Sequence, residues 1–290
     1  MRFDFIRQQM KAYPISILCR VMGVSRGGYY KYLKTDHENK MNPDFELISK
    51  VRQIQSVTRN SYGSRRMSDQ LRDDGYDVGR YRARSLMKKA NALFKYNKKF
   101  KITTDSNHKK PVAPNILNRQ FEVVQPNTVW CTDITYLWTT QGWLYLAVVL
   151  DLYSRKIVGW SMNNSLTTSL VKDALSLAYW RRKPQKGLIH HSDRGSQYTD
   201  NAYQNMLKQY GMVCSMSRKG NCWDNAVVES FFHSLKTEWT DDIIYKTRDE
   251  ARMDVIRYIE MFYNSYRLHS FLGNKNPNVF ENNFYLSKVA

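Results

Sequence analysis

TVWCTDITYLW, residues 128–138, alternates as a half-buried β-strand does and carries one acid, Asp133, near its middle. Residues 143–150 and 155–162 have strand character too, and the turn DLYSR joins them. Because short strands separated by turns pair with their neighbours, the three segments predict an antiparallel meander.

The sequence after the meander alternates between helical and strand patterns. Helices are predicted over 166–182, over 199–210 with Thr199 as N-cap, and over 224–239 with Asp224 as N-cap; short strands are predicted over 187–192 and 212–217. The order β-β-β-α-β-α-β-α predicts the α/β class, a mixed sheet with helices on its faces. A last helix is expected over 247–266, because TRDE forms a capping box at Thr247.

Positive charge is concentrated in the first part of the chain. The formal net charge is +19; residues 1–120 carry 26 Lys and Arg against 10 Asp and Glu, whereas residues 121–290 carry 19 against 16. This asymmetry favours a polyanionic partner, most simply nucleic acid. A solvated basic surface is the alternative.

Two helical units precede the sheet. Residues 15–34 predict two helices separated by a turn at Gly23, which fits either a helix-turn-helix or a minimal apolar packing unit. Residues 43–91 predict three helices, the third with an apolar arc (Ala83, Leu86, Met87, Ala90) and a cationic arc (Arg80, Arg84, Lys88). The cationic arc is predicted to contact DNA, with a solvated face as the alternative.

These patterns divide the chain. We expect a helix-turn-helix-like segment (1–36), a basic three-helix DNA-binding domain (40–97), a basic linker along DNA (98–120), a catalytic core (121–245) and a C-terminal helix with tail (246–290). The four cysteines lack metal-ligand or disulfide spacing, the first residues are too charged for a signal peptide, and the apolar run WLYLAVVL is too short to cross a bilayer. A cytoplasmic protein without membrane contact is therefore expected.

Three acidic residues hold chemically suggestive places in this plan. Asp133 interrupts an apolar strand, Asp193 follows the fourth strand at its carboxyl end, and Glu229 begins a helix. If the first and fourth strands are neighbours, the carboxylates converge and predict Mg²⁺ or Mn²⁺. Two such ions about 4 Å apart suit phosphodiester displacement. Each acid alone also has a structural interpretation. An aspartate in a strand can hydrogen-bond locally, and a glutamate on a helix is usually solvated.

Nearby motifs are interpreted as structural. Asp151 is predicted to form a turn, and His190 and His191 lack further soft ligands at zinc spacing. Ser192 lacks the G-x-S-x-G context of a hydrolase triad. SRKG (217–220) is no Walker loop and is expected to be a mobile basic segment over the site.

The same residues resemble a known family. Asp133, Asp193 and Glu229, with 35 residues between the last two, match the D…D(35)E pattern of retroviral integrases and related transposases. Longer motifs, spread over nearly the whole chain, resemble the second-reading-frame (OrfB) transposase of bacterial insertion sequences of the insertion-sequence-three family: WCTDITYL, GWLYLAVVLDLYSRKIVGWSM, HHSDRGSQYT, CWDNAVVESFFHSLKTE and YNSYRLHS…NPNVFE.

The resemblance implies a ribonuclease-H-like fold and Mg²⁺-dependent nicking at the element's ends, followed by strand transfer in which a freed 3′-OH attacks another phosphodiester. It implies that the three acids ligate the metal and that Lys236 approaches the terminal DNA. It also implies a bacterial enzyme acting on double-stranded DNA, expected as a homo-oligomer. The family's first-frame product supplies a terminal-repeat-binding domain and a leucine zipper, so it is an expected partner. Unlike retroviral integrases, the chain has no His/Cys set for an N-terminal zinc module.

Further site roles are expected around the acids. Asn225 is expected to orient Glu229, and His233 either touches a phosphate or packs. Arg194 and the histidines before it are expected to face the phosphates. The residues expected to contact DNA are Arg80, Arg84, Lys88, Arg194, Lys219, His233, Lys236 and Arg267.

Two other functions stay open. One is a DNA-binding regulator of the element with little catalysis alone, which would not need the intact acid trio. The other is a tyrosine recombinase, suggested by Tyr263, Arg267 and His269, although a second Arg motif is missing. Otherwise Tyr263, Asn264 and Arg267 brace the last helix or contact DNA.

Overall fold

The computed structural model describes residues 2–41, 44–92, 112–219 and 221–289. The predicted linker lies partly outside these ranges, and its described part, 112–120, has no regular helix or strand. No helix in the described part of the chain is long and apolar enough to cross a membrane.

Three helices form the first unit: α1 (Arg2–Gln9), α2 (Ile15–Val21) and α3 (Arg26–Met41). The predicted turn between α2 and α3 is present: Gly23 has φ +62°, and the Ser25 hydroxyl oxygen accepts a bond from Gly28 N at 3.0 Å. Helix α1 was not predicted. It supplies Ile6 to a small core with Leu18 and Tyr29.

The second unit consists of α4 (Phe45–Val57), α5 (Ser64–Asp73) and α6 (Arg80–Lys89). The two arcs predicted for its third helix are present: the apolar residues are buried and the cationic residues are exposed. This unit docks on the C-terminal helices, because Arg59 makes two bonds to Asp254, at 2.9 and 2.6 Å, and stacks over Trp239, 3.7 Å from the ring centroid.

The described residues of the third unit form a five-stranded sheet of β1 (Val129–Thr139), β2 (Gly142–Asp151), β3 (Ile157–Asn163), β4 (Ile189–Ser192) and β5 (Val213–Met216). The strand order is β3-β2-β1-β4-β5; β1 to β3 form an antiparallel meander, and β4 pairs parallel to both β1 and β5. The predicted mixed sheet is confirmed, and with it the ribonuclease-H-like fold.

The remaining helices are α7 (Thr168–Arg182), α8 (Asn201–Gln209), α9 (Ala226–Leu235), α10 (Arg248–Ile256) and α11 (Pro277–Val289). The last turns after α9 and α10 widen into π-helix, over Lys236–Thr240 and Arg257–Tyr263. The predicted capping box is confirmed, since Thr247 and Glu250 bond reciprocally at the start of α10.

Two predicted N-caps are wrong. The residue that caps α8 is Asp200, whose carboxylate accepts from Ala202 N at 2.9 Å, while the Thr199 hydroxyl turns back toward the preceding carbonyls. Asp224 lies in a short 3₁₀ turn before α9, and its carboxylate is used by arginines. Both errors arise because a capping residue type marks a helix start only when no stronger partner competes for its side chain.

The sheet is covered on both faces. Ala147 and Val149 of β2 pack toward α7 and α8, whereas Val148 and Leu150 pack toward α9 and α10. This two-sided burial explains why β2 reads as a continuous apolar run rather than an alternating one. Gly159 of β3 permits the close approach of α7, because a Cβ there would lie 2.3 Å from the Ala174 carbonyl oxygen.

Candidate active site

Asp133 and Asp193 meet where β4 ends beside the middle of β1. Cys131 of β1 lies opposite His191 of β4 in parallel register, and β4 ends at Ser192. Continuing the register by two residues puts Asp193 opposite Asp133. The condition on which the expected convergence of these two acids depended, that the first and fourth strands are neighbours, is therefore met.

Backbone amides hold both aspartates. Asp133 Oδ1 accepts from Ile134 N at 2.7 Å, and Asp193 Oδ1 accepts from Gly195 N at 2.8 Å. A Cβ on Gly195 would lie 3.0 Å from that same carboxylate oxygen, so a larger residue would crowd it. Each bond uses one carboxylate oxygen and limits the rotation of the side chain.

The third acid comes from α9, which packs against β1. Glu229 lies in the first turn of this helix and is more exposed than either aspartate. Asn225, expected to orient Glu229, instead donates from Nδ2 to the carbonyl of Thr132, the residue before Asp133, at 3.3 Å. Its role is therefore to join the start of α9 to β1 beside Asp133.

The three carboxylates influence one another electrically. Burial, and next the negative charge of Asp193, raise the pKa of Asp133 well above its usual value, and Glu229 adds to the rise. Desolvation followed by the charge of Asp193 also raises the pKa of Glu229. A bound cation would remove this repulsion, and carboxylate oxygens are the ligands that hard divalent ions prefer.

The acids are neighbours without forming a closed metal cage. Within the described residues, no three His, Cys, Asp or Glu side chains stand close enough together to hold a metal ion. The donor chemistry and the backbone placement fit a divalent ion. The side-chain positions would have to draw closer to ligate it.

Comparisons with known proteins bear on this arrangement. Two models, each described as an integrase core domain, match residues 123–222 and 210–277, and an HTH-like domain model matches 43–100. The chain is 43% identical to the "Insertion element IS600 uncharacterized 31 kDa protein" of Shigella sonnei, over 92% of this chain and 98% of that protein. It is 39% identical to "Transposase InsF for insertion sequence IS3A" of Escherichia coli (strain K12), over 97% and 99%. The chain belongs to the IS3 family of transposases.

Solved structures show a weaker likeness to this transposase. One is the simian T-cell lymphotropic virus intasome in complex with PP2A regulatory subunit B56 gamma. It is 17% identical to this chain with a TM-score of 0.48, and the match covers 80% of this chain and 74% of that chain. Another is the HTLV-2 integrase catalytic core domain in complex with magnesium (dimeric form). It is 17% identical with a TM-score of 0.42, and the match covers 55% of this chain and 98% of that chain. The enzyme class, a polynucleotidyl transferase, rests on the integrase core models and the transposase relatives.

A buried carboxylate that the sequence analysis missed organises the loop before α9 of the transposase. Asp224 is 1% exposed and accepts from Arg218 N, Nε and Nη2, from Arg119 Nε and from Asn115 Nδ2, at 2.7 to 2.9 Å. Hydrogen bonds from Arg218 lower its pKa despite burial. The local sequence carries no signal for this cluster, because two partners lie more than 100 residues away.

The histidines of HHSDRGSQYT are interior residues. His190 contacts the Tyr203 hydroxyl at 3.2 Å, and both nitrogens of His191 contact serine hydroxyls, of Ser215 and Ser217. Both rings are fully buried, and burial lowers the pKa of His190 to about 3 and of His191 to about 4. They are neutral packing residues, so the expectation that they face phosphates is wrong.

Four of the residues predicted to contact DNA lie on the segments that carry Asp193 and Glu229 or on the loop that leads to α9. Arg194 directly follows Asp193, and its Nε donates to the Ser217 carbonyl at 2.6 Å. Lys219 is exposed on the loop before α9. Lys236 lies where α9 widens into π-helix, with Nζ 5.2 Å from the centroid of the Tyr136 ring, and His233 is half-buried one turn after Glu229.

Arg267 does not fit its predicted role as a DNA contact. It is 5% exposed, and its Nε and Nη2 form a bidentate pair with Glu238, both at 2.6 Å. The prediction of DNA contact is wrong, and the bracing role is the one that its contacts support. Tyr263, the nucleophile that a recombinase would need, is 3% exposed in the same interior.

Asp151 behaves as predicted and does more. Its carboxylate accepts from Tyr153 N at 3.0 Å, which closes the DLYSR turn. It also accepts from Asn127 N at 2.7 Å and Trp130 Nε1 at 3.2 Å, so it ties the chain entering β1 to the turn after β2. This buried acid is structural.

Proposed function

We propose that this transposase is a DDE enzyme whose catalytic and metal-binding residues are Asp133, Asp193 and Glu229. They would hold Mg²⁺, as two ions, with Mn²⁺ as a substitute. The supporting observation is the parallel pairing of β1 with β4, which brings Asp133 and Asp193 together beside α9. When bound, the ions would activate an attacking oxygen and stabilise a leaving oxygen at a phosphodiester.

The proposed reaction is nicking at the ends of the element, followed by transfer of the freed 3′-OH to another phosphodiester. In it, Asp133 and Asp193 keep their backbone bonds, which hold each carboxylate in place. Asn225 holds α9 against β1, so that Glu229 approaches from the helix side. The π-turn after α9 carries Lys236 toward the DNA end.

DNA would be held by two groups of residues. Arg80, Arg84 and Lys88 form an exposed row on α6 that suits phosphates or base edges. Arg194, Lys219, His233 and Lys236, on the segments that carry Asp193 and Glu229 or on the loop before α9, would contact the DNA near the reacting phosphate. The proposed partners are the element's terminal repeats, target DNA, a second copy of the chain and the first-frame product, in the bacterial cytoplasm.

The test is a cleavage and joining assay on duplex DNA carrying an element end. We expect nicking and joining with Mg²⁺ or Mn²⁺, loss of both in EDTA, and recovery when excess Mg²⁺ is restored. Binding of the duplex should survive EDTA, since the cations on α6 need no metal. Cutting that persists in EDTA would contradict the metal mechanism.

A DNA-binding regulator with little catalysis alone is the second candidate. The observation in its favour is the exposed row of Arg80, Arg84 and Lys88 on α6, which suits DNA binding without any metal. The same assay separates the two functions when the first-frame product is added. Strand joining by this chain alone, or with that product, supports the transposase; binding without joining in both cases supports the regulator.

The α6 row gives a separate prediction. Arg84→Ala is expected to weaken duplex binding about equally across sequences and to lower the salt slope of log K by about 1, because one phosphate contact is lost. Fluorescence anisotropy at several salt concentrations measures both. Arg252→Ala, which removes the same charge from a pair with Asp249 on α10, is the control. Equal effects of the two variants would refute the DNA role of α6.

A further inference from the structure

A cationic cavity of about 440 Å³ lies beside α9. Arg66 of α5, Arg155 of the turn between β2 and β3, and Arg267 all line it. Among the described lining residues the one carboxylate is Glu238, which pairs with Arg66 at 2.9 Å and with Arg267 at 2.6 Å. One carboxylate against three guanidinium groups leaves the cavity with excess positive charge.

Arg155 is the unsatisfied member of this set. It is 7% exposed, donates from Nη2 to the Phe121 carbonyl at 3.0 Å, and lies over the Phe271 ring, 4.0 Å from the centroid. Its Nη1 is buried and has no hydrogen-bond partner in the described part of the chain. A buried guanidinium nitrogen without an acceptor is costly, so an acceptor from outside the chain would be stabilising.

The backbone at Arg155 adds a second cost. Its φ is +58°, in the left-handed region that favours glycine or asparagine. The turn therefore holds a large cationic residue at a position where a smaller residue would be less strained. The strained backbone and the unpartnered nitrogen both belong to the one arginine that Glu238 does not neutralise.

We infer that this cavity is a binding site for a phosphate-class oxyanion, toward which the Arg155 side chain would turn its unpartnered Nη1. The lining hydroxyl of Ser230 on α9 suits a phosphate oxygen as a further donor. A volume of about 440 Å³ lies in the range of small-ligand sites. The phosphate would come from DNA or from a free nucleotide. His233 also lines the cavity, one turn from Glu229, so the two sites are adjacent.

The first test is calorimetric titration of the full chain with inorganic phosphate and with thymidine 5′-monophosphate, in EDTA at constant ionic strength. We expect saturable binding by the wild type, at least tenfold weaker binding by Arg155→Met, and wild-type affinity in the matched control Arg252→Met. No saturable binding by the wild type, or equal affinities of the two variants, would overturn the site. Because no metal or catalysis is involved, this result is independent of the proposed transposase chemistry.

A second pair of variants tests the same site even if Arg155→Met fails to fold. Ser270 is exposed on the rim of the cavity, beside the Phe271 ring that Arg155 covers. Ser270→Glu should place a carboxylate near Arg155 and reduce phosphate affinity at least tenfold, whereas the neutral Ser270→Gln should keep it. Equal phosphate affinity in these two variants also counts against the proposal.

The source of the phosphate is separated by adding saturating duplex DNA. If a DNA phosphate occupies the cavity, the duplex should abolish titration by inorganic phosphate, and Arg155→Met should weaken duplex binding. If a free nucleotide occupies it, phosphate should still bind beside the duplex with unchanged affinity. Either outcome supports the oxyanion site and names its ligand.

Discussion

Asp193→Asn is expected to abolish metal-dependent nicking of element-end DNA, by at least about 10³-fold, while duplex binding is retained. Asparagine keeps the size of the side chain and an oxygen that can accept from Gly195 N, the bond that measures 2.8 Å in the wild type. What is lost is the negative charge that a divalent ion needs. Rates on an end-labelled duplex in Mg²⁺ and Mn²⁺, with anisotropy for binding, measure the two properties separately.

The stability of this variant provides an internal check. The charge of Asp193 contributes to the raised pKa values of Asp133 and Glu229, so neutralising it removes repulsion. The metal-free melting temperature should therefore stay the same or rise. Asp249→Asn, whose side chain is 84% exposed on α10, makes the same charge change away from the trio and should keep full activity. Efficient nicking by Asp193→Asn would refute the assignment, and a covalent protein–DNA adduct would instead favour a recombinase.

Glu238→Gln is expected to lower the free energy of unfolding at pH 7 by about 3 kcal/mol, because it leaves Arg267 buried without its counter-charge. Burial opposes ionisation of Glu238, yet the nearby Arg267 and then Arg66 hold its pKa below the usual value of 4.5. The stabilisation is therefore fully present above about pH 4.5 and is lost as the pH falls through the lower, folded-state pKa. The unfolding curves of wild type and variant should converge in acid.

Urea unfolding between pH 7 and pH 3 measures this difference. The matched control is Glu260→Gln, because Glu260 pairs with Arg181 at 2.8 Å in a far more exposed setting. The control should lose no more than about 1 kcal/mol, since exposed ion pairs contribute little. Equal losses in the two variants, or a Glu238→Gln loss that is unchanged in acid, would contradict the buried ion-pair explanation.

Residue periodicity was sufficient to predict the catalytic sheet. The order of strands and helices along the core followed from short apolar runs, turn residues and amphipathic helices, and the pairing of β1 with β4 then places Asp133 next to Asp193. The arcs of α6 were also predictable, because a helix repeats about every 3.6 residues and so sorts its residues by face. The pattern that predicts each strand or helix lies within that one element.

Side-chain partners could not be predicted in the same way. Asp224 resembles a helix cap in the sequence, but Arg119 reaches its carboxylate from 105 residues away. Arg267 resembles a DNA contact, but Glu238 and burial make it a brace. His190 lies in a motif rich in polar residues, but its ring is buried beside Tyr203. Burial decides the role of each group, and burial is a property of the assembled layers.

The sequence by itself therefore determined the order of helices and strands in the core, the division of charge and the three acids that could meet. Tertiary structure alone decided which polar groups are paired and which stay available, as Arg155 and Arg267 show within one cavity. The physical reason is that periodicity is encoded by near neighbours. The desolvation and pairing of a charge depend on residues that only folding brings within a few ångströms.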